Sequence, residues 1–156
     1  MKRWCAMLFA VGVGLSQAEP PGIEYIYPAG AQRGTTVPVR VGGYYFHGQA
    51  NFEMLGAGIR FRPQVKRIKT VWFEGPLIHQ PLSQRGENYP KDYANEIAVA
   101  SDAELSHRFW RCWTSQGATR VLKFVVGDLP EVMEEEMDGR PLPQEVTLPV
   151  TVNGRI

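Results

Sequence analysis

Short runs of alternating apolar and polar residues, separated by glycine and proline turns, constrain this fold more than any other feature of the sequence. In the clearest run, Thr35–Val41, the residues Val37, Val39 and Val41 alternate with polar or proline positions. Period-two alternation is typical of a strand with one buried face. The chain also contains 16 Gly and 12 Pro. Turns this frequent favour many short strands over long helices.

Similar runs recur along the chain at short intervals. We predict further strands at Ile23–Tyr27, Asn51–Leu55, Ile59–Phe61, Glu96–Ala100, Arg108–Thr114 and Arg120–Val126. About seven short strands at this spacing predict an all-β fold, an immunoglobulin-like β-sandwich over residues 22–127. In the run Arg108–Thr114, Trp110 and Cys112 share one face, so alternation sends Phe109 and Trp113 to the other face if Trp110 faces inward.

Three segments depart from this pattern. Residues 65–95 are predicted to be an insertion in the sandwich. Within it, residues 65–73 are ambiguous between strand and helix, and residues 74–95, rich in Pro, Gly and Gln, are predicted to be irregular. Residues 128–144 contain three prolines and six acids, and are predicted to be an exposed acidic linker. Residues 145–156 then start another strand. Because a lone strand cannot form a domain, this strand either begins a second, truncated β-domain or pairs with the first domain.

The N-terminus has the order of a secretory signal peptide. Met1-Lys2-Arg3 is a short positive start, Cys5–Leu15 is an apolar run of eleven residues, and Ser16-Gln17-Ala18 places small residues at a cleavage site. The apolar run is too short to span a bilayer as a helix of about 20 residues. We therefore predict cleavage of residues 1–18 near Ala18. The mature chain would be secreted, periplasmic or at the cell surface, without a membrane span.

The sequence gives little support for catalysis or for nucleic acid as a partner. The formal net charge is +1 and the basic residues form no stripe, so there is no electrostatic case for nucleic acid. His47, His79 and His107 each stand alone, without metal-ligand spacing, and no GxSxG or phosphate-loop motif is present. Cys112, the one cysteine left after cleavage, reads as a small buried hydrophobe. We predict that the chain is not an enzyme.

The aromatic residues provide the first candidate binding site. Tyr45, Trp72, Phe109 and Trp113 are predicted to form an exposed platform that could stack on sugar rings or anchor a partner. In the alternative interpretation, these rings cover the second sheet or the insertion.

The acidic segment provides the second candidate site. Glu134, Glu136 and Asp138 could offer oxygen ligands to weakly bound calcium. No calcium-loop motif is present, so the alternative is a solvated linker that stays extended by self-repulsion. No other cofactor is predicted.

Three parts of the sequence resemble a known family. The run Ile26–Phe46 (IYPAGAQRGTTVPVRVGGYYF) resembles the opening of an immunoglobulin-like domain of the IPT/TIG type, and Ser101–Val126 resembles its closing hairpin. The segments Asp128–Glu136 and Leu148–Ile156 resemble large secreted proteins of planctomycete-type bacteria. In those proteins such a domain leads through an acidic linker into pre-peptidase C-terminal domains. The resemblance implies surface architecture without catalytic residues, and implies that residues 145–156 begin a pre-peptidase C-terminal-like domain in a fragment.

Together these features predict a non-catalytic extracellular spacer or interaction module of a larger secreted or surface protein. Its partner would be a protein or a polysaccharide at the cell surface. Two alternatives remain open. The chain could be a carbohydrate-binding module that uses exposed aromatics, or the accessory domain of a secreted hydrolase whose catalytic part lies beyond Ile156.

Overall fold

The computed structural model describes residues 19–69, 90–137 and 140–154, and within those ranges the chain is all-β, without a helix. This confirms the predicted fold class. The described ranges accordingly hold no helix of the length and apolarity needed to cross a membrane. In chain order the strands are β1 (Gly22–Tyr27), β2 (Gly30–Gln32), β3 (Thr36–Tyr44), β4 (Gln49–Leu55), β5 (Ile59–Phe61), β6 (Gln64–Arg67), β7 (Lys91–Val99), β8 (His107–Thr114), β9 (Gly117–Ala118), β10 (Leu122–Gly127), β11 (Glu131–Met133), β12 (Glu136–Met137), β13 (Arg140–Pro141) and β14 (Thr151–Asn153).

Strands β1 to β10 form one nearly closed sheet in the order β1-β3-β7-β6-β4-β8-β10-β2, with β5 on β7 and β9 on β8. One layer contains β1, β3, β7 and the short strands β5 and β6, and the other contains β4, β8 and β10. These two groups follow the strand order of an immunoglobulin sandwich. Strand β6 joins the layers because it pairs with β4 at residues 49–51 and with β7 at residues 93–94.

The start of the chain contributes to both layers. Strand β1 pairs antiparallel with β3, and after a turn at Pro28 and Ala29 strand β2 pairs parallel with β10. Gly30 permits this close pairing, because a Cβ atom at that position would lie 2.7 Å from the carbonyl oxygen of Val125. The turn itself is held by a hydrogen bond from the Val125 amide to the Ala29 carbonyl at 3.0 Å.

The apolar core lies between the two layers. Val39 and Val41 of β3 face inward, as their alternation predicted. Phe124 and Val126 of β10 are buried, and Leu122 is partly buried against the core. The largest core residue, Trp110, is 1% exposed. Core formation by alternate residues of both sheets is what a sandwich of this size requires for its stability.

Both ends of the predicted insertion at residues 65–95 are strands of the sandwich. Val65 in β6 is fully buried, and β7 begins at Lys91 and pairs continuously with β3. Residues 65–67, which the sequence left ambiguous between strand and helix, belong to strand β6, and the prediction of irregular structure is wrong for residues 91–95. In β6 the buried Val65 stands between amide and charged residues, and in β7 the buried residues include Asp92 and Asn95, so composition conceals both strands. Residues 70–89 lie outside the described part of the chain.

The predicted acidic linker also contains paired strands. Strand β11 pairs parallel with β14, and β12 pairs antiparallel with β13. Residues 131–133 are therefore not an unpaired linker, because their backbone bonds are made with residues 151–153. Asn153 of β14 also bonds to Tyr27 and Ala29 of the first domain. That residues 145–156 begin a second domain stays a prediction.

Candidate functional site

Strand β8 divides its side chains cleanly between the core and the surface. Arg108, Trp110 and Cys112 are buried. Phe109 and Trp113 point to the opposite face, where 45% and 37% of their surfaces are exposed. This arrangement confirms the alternation predicted from the sequence, and it places two of the four predicted platform residues on one outer face of the sandwich.

The neighbouring strands extend this outer face. Leu55 of β4 lies opposite Phe109, and Val125 of β10 lies opposite His107. Val121 lies beside Phe109 in a shallow depression of the same face. We call this surface the aromatic face, and define its exposed apolar members as Leu55, Phe109, Trp113, Val121 and Val125.

An ion pair lies within the aromatic face. Glu53 and Arg111 are directly opposite in β4 and β8, and the Arg111 Nε donates to the Glu53 carboxylate. Both side chains are partly exposed, so the pair contributes only about 0–1 kcal/mol to stability. Its importance for the site is electrostatic, since the pair is itself neutral, while the exposed Lys123 adds one positive charge on β10 opposite Phe109.

The depression in the aromatic face is small. It has a volume of about 130 Å³ and is lined by Glu53, Leu55, Phe109, Arg111 and Val121, with Trp110 beneath. Pockets that enclose a small molecule have volumes of about 300–1,000 Å³. The face is therefore suited to a broad contact with a partner surface.

Trp110 lies in the core directly beneath the aromatic face and packs against the strands that carry it. Its ring stacks on Phe52 of β4 with ring centres 5.5 Å apart, and its Nε1 donates to the Lys123 carbonyl of β10 at 3.3 Å. These two contacts connect β8 to both neighbouring strands of the layer. The outer side chains of the three strands are thus held in a fixed register.

Tyr45 lies in the loop between β3 and β4, at the end of the sandwich that also carries the turn between β8 and β9. Its φ of 58° is in the left-handed region, as is the φ of 52° at His47. Side-chain-bearing residues in this region cost about 1–3 kcal/mol each. The ring of Tyr45 pairs with Tyr44 at 6.4 Å. The pKa of Tyr44 is raised, chiefly because its side chain is partly buried and then because of the nearby Glu24 carboxylate and Tyr45.

The predicted platform is therefore only partly assembled by the fold. Phe109 and Trp113 share one strand face, whereas Tyr45 is in the loop after β3. Trp72 lies outside the described residues. Sequence reasoning missed Leu55, Val121 and Val125, because it searched for exposed rings and did not consider aliphatic residues on the outer face of the same strands.

The predicted calcium ligands are also only partly described. Glu134 is half-buried, and its amide donates to the Asn153 carbonyl at 2.8 Å. Glu136 begins β12, and its side chain lies outside the description, as does Asp138. Within residues 19–69, 90–137 and 140–154, no three His, Cys, Asp or Glu side chains are placed to hold a metal ion. Calcium binding stays a prediction.

The acid with the most defined contacts in this segment is Glu131, one of its six acids. Its carboxylate accepts a hydrogen bond from Asn153 Nδ2 at 2.8 Å, while Asn153 Oδ1 accepts from the Ala29 amide at 3.3 Å. The Tyr27 hydroxyl donates to the Asn153 carbonyl at 3.2 Å. Asn153 therefore joins β14 to β11 and to the turn after β1. Burial raises the pKa of Glu131, although the bond from Asn153 lowers it.

The Glu131 shift predicts a pH dependence of stability. A carboxyl whose pKa is raised on folding holds its proton more tightly in the folded chain, so its favourable contribution is lost as pH rises through that pKa. In Glu131→Gln the amide still accepts from Asn153 but does not ionise. We expect urea unfolding to show Glu131→Gln gaining stability relative to the wild type between about pH 4 and about pH 7. A difference that shrinks with rising pH would contradict the direction of the shift.

A second polar cluster lies on the outer side of the other layer. The Tyr25 hydroxyl donates to the buried Asp92 carboxylate, and Arg40 forms an ion pair with Asp92 at 3.6 Å. The Tyr25 ring crosses β3 over Gly42, where a Cβ atom would lie 2.1 Å from the ring. Gly42 is thus required for the contact between Tyr25 and Asp92. The composition of residues 74–95 concealed Asp92 within a predicted insertion.

Cys112 occupies the core, as predicted. Burial raises the pKa of its thiol to about 12. At about pH 8 only ~10⁻⁴ of such a thiol is ionised, against roughly a quarter of an ordinary thiol. We expect Cys112 of the folded chain to resist iodoacetamide, and to react once urea unfolds the chain, as measured by mass spectrometry of its peptide. A Ser115→Cys variant in the exposed turn provides the reactive control, and equal rates at the two positions would contradict the burial.

Comparison with known proteins gives distant structural similarity and no family. No family model matches the chain, and no curated protein matches it. The chain is similar to the crystal structure of the SrpA adhesin from Streptococcus sanguinis at 16% identity and a TM-score of 0.40, covering 72% of this chain and 58% of the adhesin chain. A point mutant of that adhesin matches at 15% identity and a TM-score of 0.38, covering 70% and 55%. The chain thus spans a little over half the length of these structures. The IPT/TIG resemblance stays a prediction.

Proposed function

We propose that this chain is an exported, non-catalytic interaction module that binds a protein partner through the aromatic face. The observation that carries the proposal is a single outer face with two aromatic and three aliphatic side chains exposed around one ion pair. Contiguous apolar patches of this kind mark interaction sites, and aromatic residues and arginine are enriched in the energetically important part of protein interfaces. Export is supported by the signal-like pattern of residues 1–18.

The chemistry of the aromatic face favours a protein over a polysaccharide. Leu55, Val121 and Val125 offer no ring on which a sugar could stack and no group that could bond to a hydroxyl. They are instead the side chains that a second apolar protein surface would cover. The shallow depression, with its volume of about 130 Å³, does not enclose a sugar unit deeply.

Site-specific photocrosslinking tests the proposal without knowledge of the partner. A benzoyl-phenylalanine is placed at Phe109, and at the exposed control position Leu148, in the chain produced by its own organism. We expect adducts of protein mass from position 109 and none from position 148. Equal adducts from both positions, or no adduct from position 109, would overturn the proposal.

A carbohydrate ligand is the second candidate, because two rings alternate with a charged residue along one strand. Phe109 and Trp113 are four residues apart on β8, or about 13 Å, with Arg111 between them. An extended oligosaccharide could stack on both rings and bond to the ion pair. Titration with soluble polysaccharides would then shift the tryptophan emission of the wild type and leave Trp113→Phe unchanged. The protein-partner proposal predicts no shift in either chain.

A further inference from the structure

We infer that the partner of the aromatic face is a second copy of this chain, bound face to face in a two-fold dimer. This inference rests on the proposed function, since it names the protein that the face binds. Its basis is the arrangement of charge. The β4 and β8 part of the face carries one acid and one base directly opposite each other, and a surface that binds itself must be complementary to itself.

The register of β4 and β8 arranges the aromatic face in three rows across these strands. The central row contains Glu53 opposite Arg111. The row on one side contains Leu55 opposite Phe109, and the row on the other side contains Asn51 opposite Trp113. The central row therefore pairs an acid with a base, one flanking row pairs two apolar side chains, and the other pairs an amide with an indole.

A two-fold axis that runs along the strands, midway between β4 and β8, places each residue of a row against its row partner from the second copy. The axis keeps each row in place and exchanges the two strands, so that β4 of the second copy faces β8 of the first. Arg111 then meets the second copy's Glu53, and the same contact forms a second time by symmetry. Phe109 meets the second copy's Leu55, and Trp113 meets the second copy's Asn51. Two sheets packed in this way lie about 10 Å apart, with their side chains between them.

The other simple placement is unfavourable. A two-fold axis that runs across the strands, through the central row, would put each Glu53 against its own copy and each Arg111 against its own copy. Like charges brought together at an interface cost several kcal/mol and exclude that arrangement. Lys123, which lies opposite Phe109 on β10, is one strand farther from the favoured axis and falls at the rim of the contact. The charges thus select one orientation of the dimer.

Charge variants with mixing test this arrangement. Glu53→Lys gives the central row two positive charges, and Arg111→Glu gives it two negative charges. Each variant alone is expected to raise the dimer dissociation constant about a hundredfold or more, measured by sedimentation velocity on the purified chain. An equimolar mixture is expected to dimerise again, because each central row then meets its opposite. Loss of the ion pair within one copy cannot produce this recovery.

Two further variants complete the test. Phe109→Ser is expected to abolish the dimer, and Leu148→Ser, which removes a still more exposed apolar side chain elsewhere, is expected to leave it unchanged. A wild-type chain that stays monomeric up to millimolar concentration would overturn the inference. So would a dimer that both charge variants retain, or a mixture that fails to recover. If crosslinking from position 109 yields a different protein and the purified chain is monomeric, the self-association is wrong and the proposed function stands.

Discussion

Replacing Trp110 with alanine is expected to lower the free energy of unfolding by about 3–5 kcal/mol. The indole is 1% exposed, stacks on Phe52 and donates to the Lys123 carbonyl. Its removal leaves a large cavity between the layers and a carbonyl without its side-chain donor. Urea unfolding followed by circular dichroism measures the loss independently of the missing fluorophore.

Trp113→Ala provides the matched control, because it removes the same side chain three residues later on the same strand. Trp113 is 37% exposed on the aromatic face, so we expect its removal to cost no more than about 1 kcal/mol. Equal losses for the two variants would show that the assignment of the two faces of β8 is wrong.

Arg108→Met is expected to lower the free energy of unfolding by about 2–4 kcal/mol. Arg108 is buried at the start of β8, where its guanidinium donates to the Ala57 carbonyl at 3.2 Å and the Glu104 carbonyl at 3.0 Å. It also donates to the Ser106 hydroxyl. These acceptors belong to the turn between β4 and β5 and to the loop between β7 and β8. Methionine fills similar volume but leaves the buried acceptors without a donor.

Arg111→Met is the control for this second variant, since it removes an arginine from the exposed side of the same strand. Its partner is the partly exposed Glu53, so the expected loss is at most about 1 kcal/mol. Arg108→Lys should recover only part of the stability, because one ammonium group cannot reproduce the fork of guanidinium donors. Full recovery by lysine would contradict the role given to these hydrogen bonds.

The packing of Arg108 also explains why residue 56 is a glycine, which composition alone could not explain. Gly56 has a φ of 128°, and a Cβ atom there would lie 2.3 Å from the Cδ of Arg108. The sequence marks Gly56 only as part of a turn. The buried arginine packed against it depends on contacts between residues about fifty positions apart, which local patterns do not contain.

Local alternation was sufficient wherever a strand has one apolar and one polar face. It predicted the inward side chains of β3 and the division of β8 that creates the aromatic face. It was insufficient for β6, where Val65 is the one buried residue, and for the first half of β7, where the buried residues include Asp92 and Asn95. Their strand character comes from pairing with distant strands, and it is therefore not encoded in a short window.

In the C-terminal segment the pattern of charges was likewise insufficient to predict the structure. Six acids between residues 128 and 138 predicted a solvated linker. The structure instead pairs β11 with β14 through contacts around Asn153, a residue whose hydrogen-bond partners are Tyr27, Ala29, Glu131 and Glu134. No pattern within residues 128–144 indicates these partners. The members of the aromatic face on β4 and β10 were missed for the same reason, since only the register of the folded strands brings them beside Phe109.

The central claim is that the aromatic face is covered by a partner when the chain is in its native setting. Hydroxyl-radical footprinting tests this on the unmodified chain, by comparing oxidation in that setting with oxidation of the purified chain diluted to a monomer. We expect oxidation of Leu55, Phe109 and Trp113 to fall several-fold in the native setting, while oxidation of exposed Leu148 stays the same. Equal oxidation of the three residues in both states, with protection appearing instead at the Tyr45 loop, would contradict the account.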